Sequence, residues 1–241
     1  MRAPRSKSTP VPVLAVVLLT VAGCARNTRA EGAVEIPPPP RTDMQDIEIA
    51  RNAFIQRAES AGVRLENPPQ VMEWTRPSLI SWRREKNAVA VPKWDELTKE
   101  QREALATLAG SEDDAPAFFS WLFRWFLIPH ELTHALQEGA SDPLDHARSE
   151  QQANDVATAF WMEQPGGPTQ LAAMETFVSA AAERLPLPVP DGANEDAFFN
   201  DNYDALAAKP VDYGAFQLRF ILKSLSKMHR LSLTELLSQT R

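Results

Sequence analysis

Residues 117–128 read Ala-Phe-Phe-Ser-Trp-Leu-Phe-Arg-Trp-Phe-Leu-Ile. A helix that is apolar on almost every side has to be buried on almost every side, so this segment is expected to form the centre around which the rest of the chain packs. Its two polar positions, Ser120 and Arg124, lie four apart and share one helical face. Pro129 follows at once. A proline inside a helix removes a hydrogen bond, so the chain is expected to kink or restart there.

The next five residues are His130-Glu131-Leu132-Thr133-His134. On a helix, positions four apart lie on one face, so both imidazoles can reach a single metal ion with Glu131 projecting beside them. The chain has only four histidines, which makes an accidental HExxH less plausible than a site. The plainer alternative is a pair of helix histidines that are packed or solvated. A catalytic zinc takes three protein ligands and keeps one position open. The third ligand is expected from a later helix, and Glu150 in Ser149-Glu150-Gln151-Gln152-Ala153-Asn154-Asp155-Val156-Ala157 is the first choice. Small Ala153 and Ala157 on neighbouring turns would let that helix approach closely. His146 is the competing ligand.

Over residues 118–160, the run Pro129-His-Glu-Leu-Thr-His-Ala-Leu-Gln137 followed by Glu150 and Ala153-Asn154 resembles the gluzincins, the thermolysin-like metallopeptidases. The resemblance implies one Zn2+ held by His130, His134 and Glu150, with Glu131 as general base on a zinc-bound water and a peptide or protein as substrate. Members of that family place a carboxylate four residues after the ligand glutamate. Here Asn154 stands in that position and Asp155 follows; an asparagine oxygen can orient an imidazole but brings no charge. An oxyanion donor is sought among Tyr203, Tyr213, His146 and His229. Tyr213, in Pro210-Val-Asp-Tyr-Gly214, is the one singled out.

The surrounding pattern predicts an α+β, mostly α, domain over 42–241, and the resemblance implies that it is zincin-like. Thr42 with Gln45 and Thr98 with Gln101 read as capping boxes of helices ending at Gly62 and Gly110. Between these helices, short β-favouring runs at Val71–Trp74, Leu79–Trp82 and Ala88–Val91 predict a small, mainly antiparallel sheet. Further helices are expected near 148–163, 169–184, 196–207, 213–228 and 232–240. The metal is placed between the His130 and Glu150 helices, near a sheet edge that could align an extended peptide by backbone pairing, with Val89 on the strand considered.

The first residues carry an address. Arg2, Arg5 and Lys7 precede the apolar run Val11–Val21, then Ala22, Gly23 and Cys24. That run is about half the roughly 20 residues a spanning helix needs, so export followed by cleavage is the better reading. Val21-Ala22-Gly23-Cys24 resembles the lipobox of bacterial lipoproteins. The resemblance implies a signal peptide over 1–23, acylation (palmitate among the chains) of Cys24, and anchoring to a membrane of the cell envelope. Ala25 after the cysteine resembles the outer-membrane sorting class of a double-membraned bacterium. Residues 24–41, with four consecutive prolines at 37–40, read as an extended tether. Cys24 is the single cysteine, so no internal disulfide can form, and a net charge of -7 argues against nucleic acid as a partner. The rival to a membrane-anchored peptidase is a lipoprotein of the same fold that acts as a binding or assembly factor without catalysis.

Overall fold

The computed structural model describes residues 34–75, 79–140 and 142–240. The signal segment and Cys24 lie outside the described residues. Among those described, no helix is long and apolar enough to cross a membrane.

The chain is mostly helical with one small sheet. Helix α1 (Met44–Ser60) is capped by Asp43, whose side chain accepts from the Asp46 amide, so the cap sits one residue later than Thr42. Aspartate caps as well as threonine does, and the carboxylate meets the exposed amides of the first turn. Strands β1 (Gln70–Glu73), β2 (Ser81–Arg83) and β3 (Ala88–Val91) follow. Their order is β1-β3-β2, with β1 parallel to β3 and β2 antiparallel to it. The expected mainly antiparallel sheet is therefore a mixed one. β2 and β3 form a hairpin turned by Arg84–Lys86 and by Asn87, whose left-handed backbone (φ 48°) suits asparagine. β1 lies on the far side of β3 and runs parallel to it. β3 is thus the central strand, and Val89 is fully buried. The exposed partner for an incoming peptide cannot be the Val89 strand, and proline there would break the sheet itself.

Helix α2 (Lys99–Ala109) has the expected capping box: the Thr98 amide donates to Gln101 at 2.9 Å and the Gln101 amide to Thr98 Oγ1 at 3.2 Å. It closes at Gly110 with φ 90°. The apolar segment begins as α3 (Ala115–Phe119), widens into a π-helical stretch at Ser120–Phe126, and continues as α4 (Leu127–Gln137). Pro129 therefore does not end the helix. A π turn loosens the i→i−4 ladder just where the proline ring would meet the Trp125 carbonyl, and such turns favour functional sites. Trp121, Leu122, Trp125, Phe126, Ile128 and Leu132 are all buried.

Helix α5 (His146–Met162) packs along α4, and Trp161 stacks on Trp125 at 4.5 Å. The turn into α6 (Gly167–Arg184) needs glycine: a Cβ on Gly167 would lie 1.7 Å from the Trp161 carbonyl oxygen. The helix expected at 196–207 is two, α7 (Glu195–Asp201) and α8 (Tyr203–Ala207). The Asn202 side chain between them donates to the Phe198 carbonyl at 2.9 Å and so ends α7. Helices α9 (Pro210–Leu225) and α10 (Leu233–Ser238) complete the fold. The proposed tether is partly docked. Ile36 is buried in the core, and the Trp121 indole donates to the Pro37 carbonyl at 2.9 Å.

Candidate metal centre

Helices α4 and α5 bring His130, His134 and Glu150 together. One ligand atom from each lies within 4.8 Å of the others, an arrangement that could hold a metal ion. His130 Nε2 is 3.0 Å from His134 Nε2 and 3.2 Å from Glu150 Oε2, and His134 Nε2 is 3.7 Å from the same oxygen. His130, Glu131 and Glu150 are buried and His134 half-buried. His146 takes no part. It opens α5 and lies flat on Tyr203, with ring centroids 3.8 Å apart.

The outer nitrogens explain why the inner ones are available. His130 Nδ1 meets Asn154 Oδ1 at 3.2 Å, and the Asn154 amide nitrogen donates to the Glu150 carbonyl at 2.9 Å, which fixes which end of the carboxamide faces the ring. His134 Nδ1 meets Gln137 Oε1 at 2.7 Å. Gln137 Nε2 in turn donates to the Ser149 carbonyl at 3.1 Å and to Gln152 Oε1 at 2.9 Å. Both Nδ1 atoms thus face acceptors and carry hydrogens, which leaves both Nε2 lone pairs pointing inward. They converge on the buried Oε2 of Glu150, 3.2 and 3.7 Å away. Three acceptors facing one another repel unless a cation or a proton sits among them. The donor set of two imidazoles and one carboxylate suits zinc.

Without a metal the proton takes that place. Burial opposes charge on His134, but the Glu150 carboxylate prevails and raises its pKa to about 9. Burial likewise opposes charge on Glu150, and the two imidazoles hold it well below the ordinary carboxylate range.

Tyr213 is not a free donor. It lies in the first turn of α9, and its hydroxyl donates to Glu150 Oε1 at 3.2 Å. It therefore steadies the carboxylate at the oxygen opposite the one that faces the imidazoles, and burial pushes its own pKa well above the ordinary phenol value. Tyr203 and His146 line the cavity over the site; His229 is exposed on a short turn after α9. Asp155 turns away as well. Its carboxylate accepts from Ser224 Oγ at 2.6 Å and Gln151 Nε2 at 3.0 Å, and pairs with Lys227 at 2.8 Å. Neighbouring residues on a helix point about 100° apart, so Asp155 cannot share the face used by Glu150 and Asn154. It ties α5 to α9 instead.

Two site residues escape sequence inspection. Gln137 lies three residues after His134 on the same face, a spacing that could have marked it. Trp82 had no such signal: its backbone amide donates to Glu131 Oε2 at 2.6 Å across the gap between β2 and α4. The site opens into a cavity of about 1180 Å³ whose walls include β2, α2 and the inner face of α9. Comparison with protein families, with curated proteins and with solved structures finds no match.

Asn154→Ala is expected to weaken metal binding about 10–100-fold, because His130 loses the oxygen that fixes its tautomer. Competition against a chromophoric chelator measures this, and unchanged affinity would remove Asn154 from the site.

Proposed function

We propose that the protein is a zinc metallopeptidase of the gluzincin type, anchored by acylated Cys24 to a membrane of the bacterial cell envelope, the outer one where there are two. One observation carries the catalytic reading: the Nε2 atoms of His130 and His134 and Oε2 of Glu150 converge beside Glu131 at the wall of a large cavity. His130, His134 and Glu150 would hold the ion. When bound, zinc supplies Lewis acidity toward water and the substrate carbonyl. Glu131 supplies the base. Its Oε2 is held by the Trp82 amide, so Oε1 is the atom placed to take a proton from the attacking water and return it to the leaving amine. Of Tyr203, Tyr213, His146 and His229, the stacked pair Tyr203 and His146 lines the cavity without bonding to Glu150, and it is the pair assigned to a developing oxyanion.

The cavity volume accommodates several residues of an extended chain, which favours a peptide or an unfolded protein segment over a small amide. The lipid anchor rests on Arg2 to Cys24 alone. The test is direct: one zinc per chain after purification from cells, cleavage of an unfolded protein, and loss of both on dialysis against a chelator. Metal-free protein that stays inert when zinc is restored would overturn the reading.

To hold an ion, His134 would have to release its Nε2 proton. In the metal-free fold this proton is held up to about pH 9, so each unit of pH below that value costs about tenfold in apparent zinc affinity. The sign for folding is the usual one for a raised histidine. The stabilisation is complete below the unfolded value of 6.5 and fades as pH rises to about 9. Melting of chelator-treated protein is expected to shift downward across that window, while zinc-loaded protein shifts upward.

A further inference from the structure

The sheet edge beside the metal centre has a use other than pairing with a peptide. β2 is an outer strand, and its register pairs Ser81 with Ala90, Trp82 with Val89 and Arg83 with Ala88. In an antiparallel ladder alternate residues turn their amides outward. Within the three residues of β2, Trp82 is the one whose amide leaves the sheet, and it donates to Glu131 Oε2 at 2.6 Å. The strand is fastened to α4 a second time, two turns further on. The Trp82 indole donates to Glu138 Oε2 at 3.0 Å, and Arg84 Nε lies 2.6 Å from Glu138 Oε1. Glu131 and Glu138 lie seven apart, on one face of the helix.

We infer that the Trp82 backbone amide is a positioning group for Glu131: it fixes one carboxylate oxygen so that the other faces the cavity, and β2 thereby serves as the base's holder rather than as a donor to substrate. This rests on the hydrolytic role of Glu131 given above. The physical grounds are two. A charge-assisted N–H···O bond of this length is among the stronger hydrogen bonds a protein makes. A carboxylate tethered at one oxygen has a defined direction for the other, which an untethered glutamate, with three side-chain torsions, lacks. The same bond means that an extended peptide pairing with β2 would have to take from Glu131 the donor it uses.

Two substitutions separate the amide from the indole. Trp82→Ala keeps the N–H and loses the ring; Trp82→Pro loses both, at an edge position where proline is tolerated. A third protein, with the α-hydroxy acid analogue of tryptophan at position 82, exchanges only the N–H for an ester oxygen and decides the matter if the proline variant does not fold. The expected result is a kcat about 10–100-fold lower in the proline and ester proteins than in Trp82→Ala, with KM and zinc content unchanged. In metal-free protein, amide exchange at Trp82 is expected to accelerate about tenfold or more in Glu131→Ala, with no change at Arg83.

Wild-type kcat in the ester protein, or a raised KM at constant kcat, overturns the inference; the second outcome would make the amide a substrate contact. A Glu131→Gln protein that cleaves as well as wild type, or a wild type that does not cleave at all, sinks the hydrolase reading beneath it. Fast Trp82 exchange in both proteins sinks the hydrogen bond alone.

Discussion

Glu131→Gln is expected to lower the rate of peptide cleavage by about a thousandfold while leaving one zinc per chain. The substitution is nearly isosteric and keeps an oxygen that can accept the Trp82 amide, so the packing of α4 against β2 survives. What goes is the proton acceptor. A positioned general base is worth roughly 10²–10⁴ in rate, and a carboxamide cannot take a proton from water at neutral pH. The metal should be indifferent to the change. Glu131 lies outside the His130, His134, Glu150 cluster, and each imidazole is oriented from its far side by Asn154 or Gln137. Cleavage at a tenth of the wild-type rate or better would remove Glu131 from the chemistry. Loss of zinc together with activity would instead make it part of the metal's support, and the rate would say nothing about proton transfer.

The His130, His134 and Glu150 cluster was legible in sequence because its pieces are set by helical period. His130 and His134 share a face by virtue of their spacing, and Glu150 and Asn154 do the same on α5. The Thr98 capping box and the buried run at 117–128 were equally local signals. What could not be read depends on side chains and strands meeting across the fold. Tyr213 sits 63 residues from Glu150, and its hydroxyl finds that carboxylate only because α9 packs beside α5. Trp82 is 49 residues from Glu131. The place and direction of β1 beside β3 are settled by how the chain meets across the fold, and the Val71–Trp74 pattern carries neither. Asp155 shows the limit of reading by adjacency: one step along a helix moved it from the metal face to the α9 contact. Pro129 shows the limit of single-residue rules, since the wide π turn before it absorbs the ring that would otherwise interrupt α4.

Glu150→Ala is expected to abolish stoichiometric zinc binding and, with it, all metal-dependent cleavage. Two imidazoles remain, but two ligands on one helix lack the charge and the third direction that a tetrahedral ion requires. The effects on stability should separate by metal. With free zinc at about a thousand times its dissociation constant, binding stabilises the native state by about 4 kcal/mol, and the variant forfeits that. In chelator-treated protein the balance differs. Wild type holds a buried carboxylate against a protonated imidazole, and the desolvation of such a pair offsets most of its attraction. Alanine leaves two neutral imidazoles and frees the Tyr213 hydroxyl, whose bond to Glu150 Oε1 is lost. The melting temperatures of the two metal-free proteins are therefore expected to lie close together near pH 8, where the His134 proton contributes less than it does at pH 6. A variant that still carries one zinc per chain would show that another group completes the site, with His146 the first to examine, since it lines the same cavity.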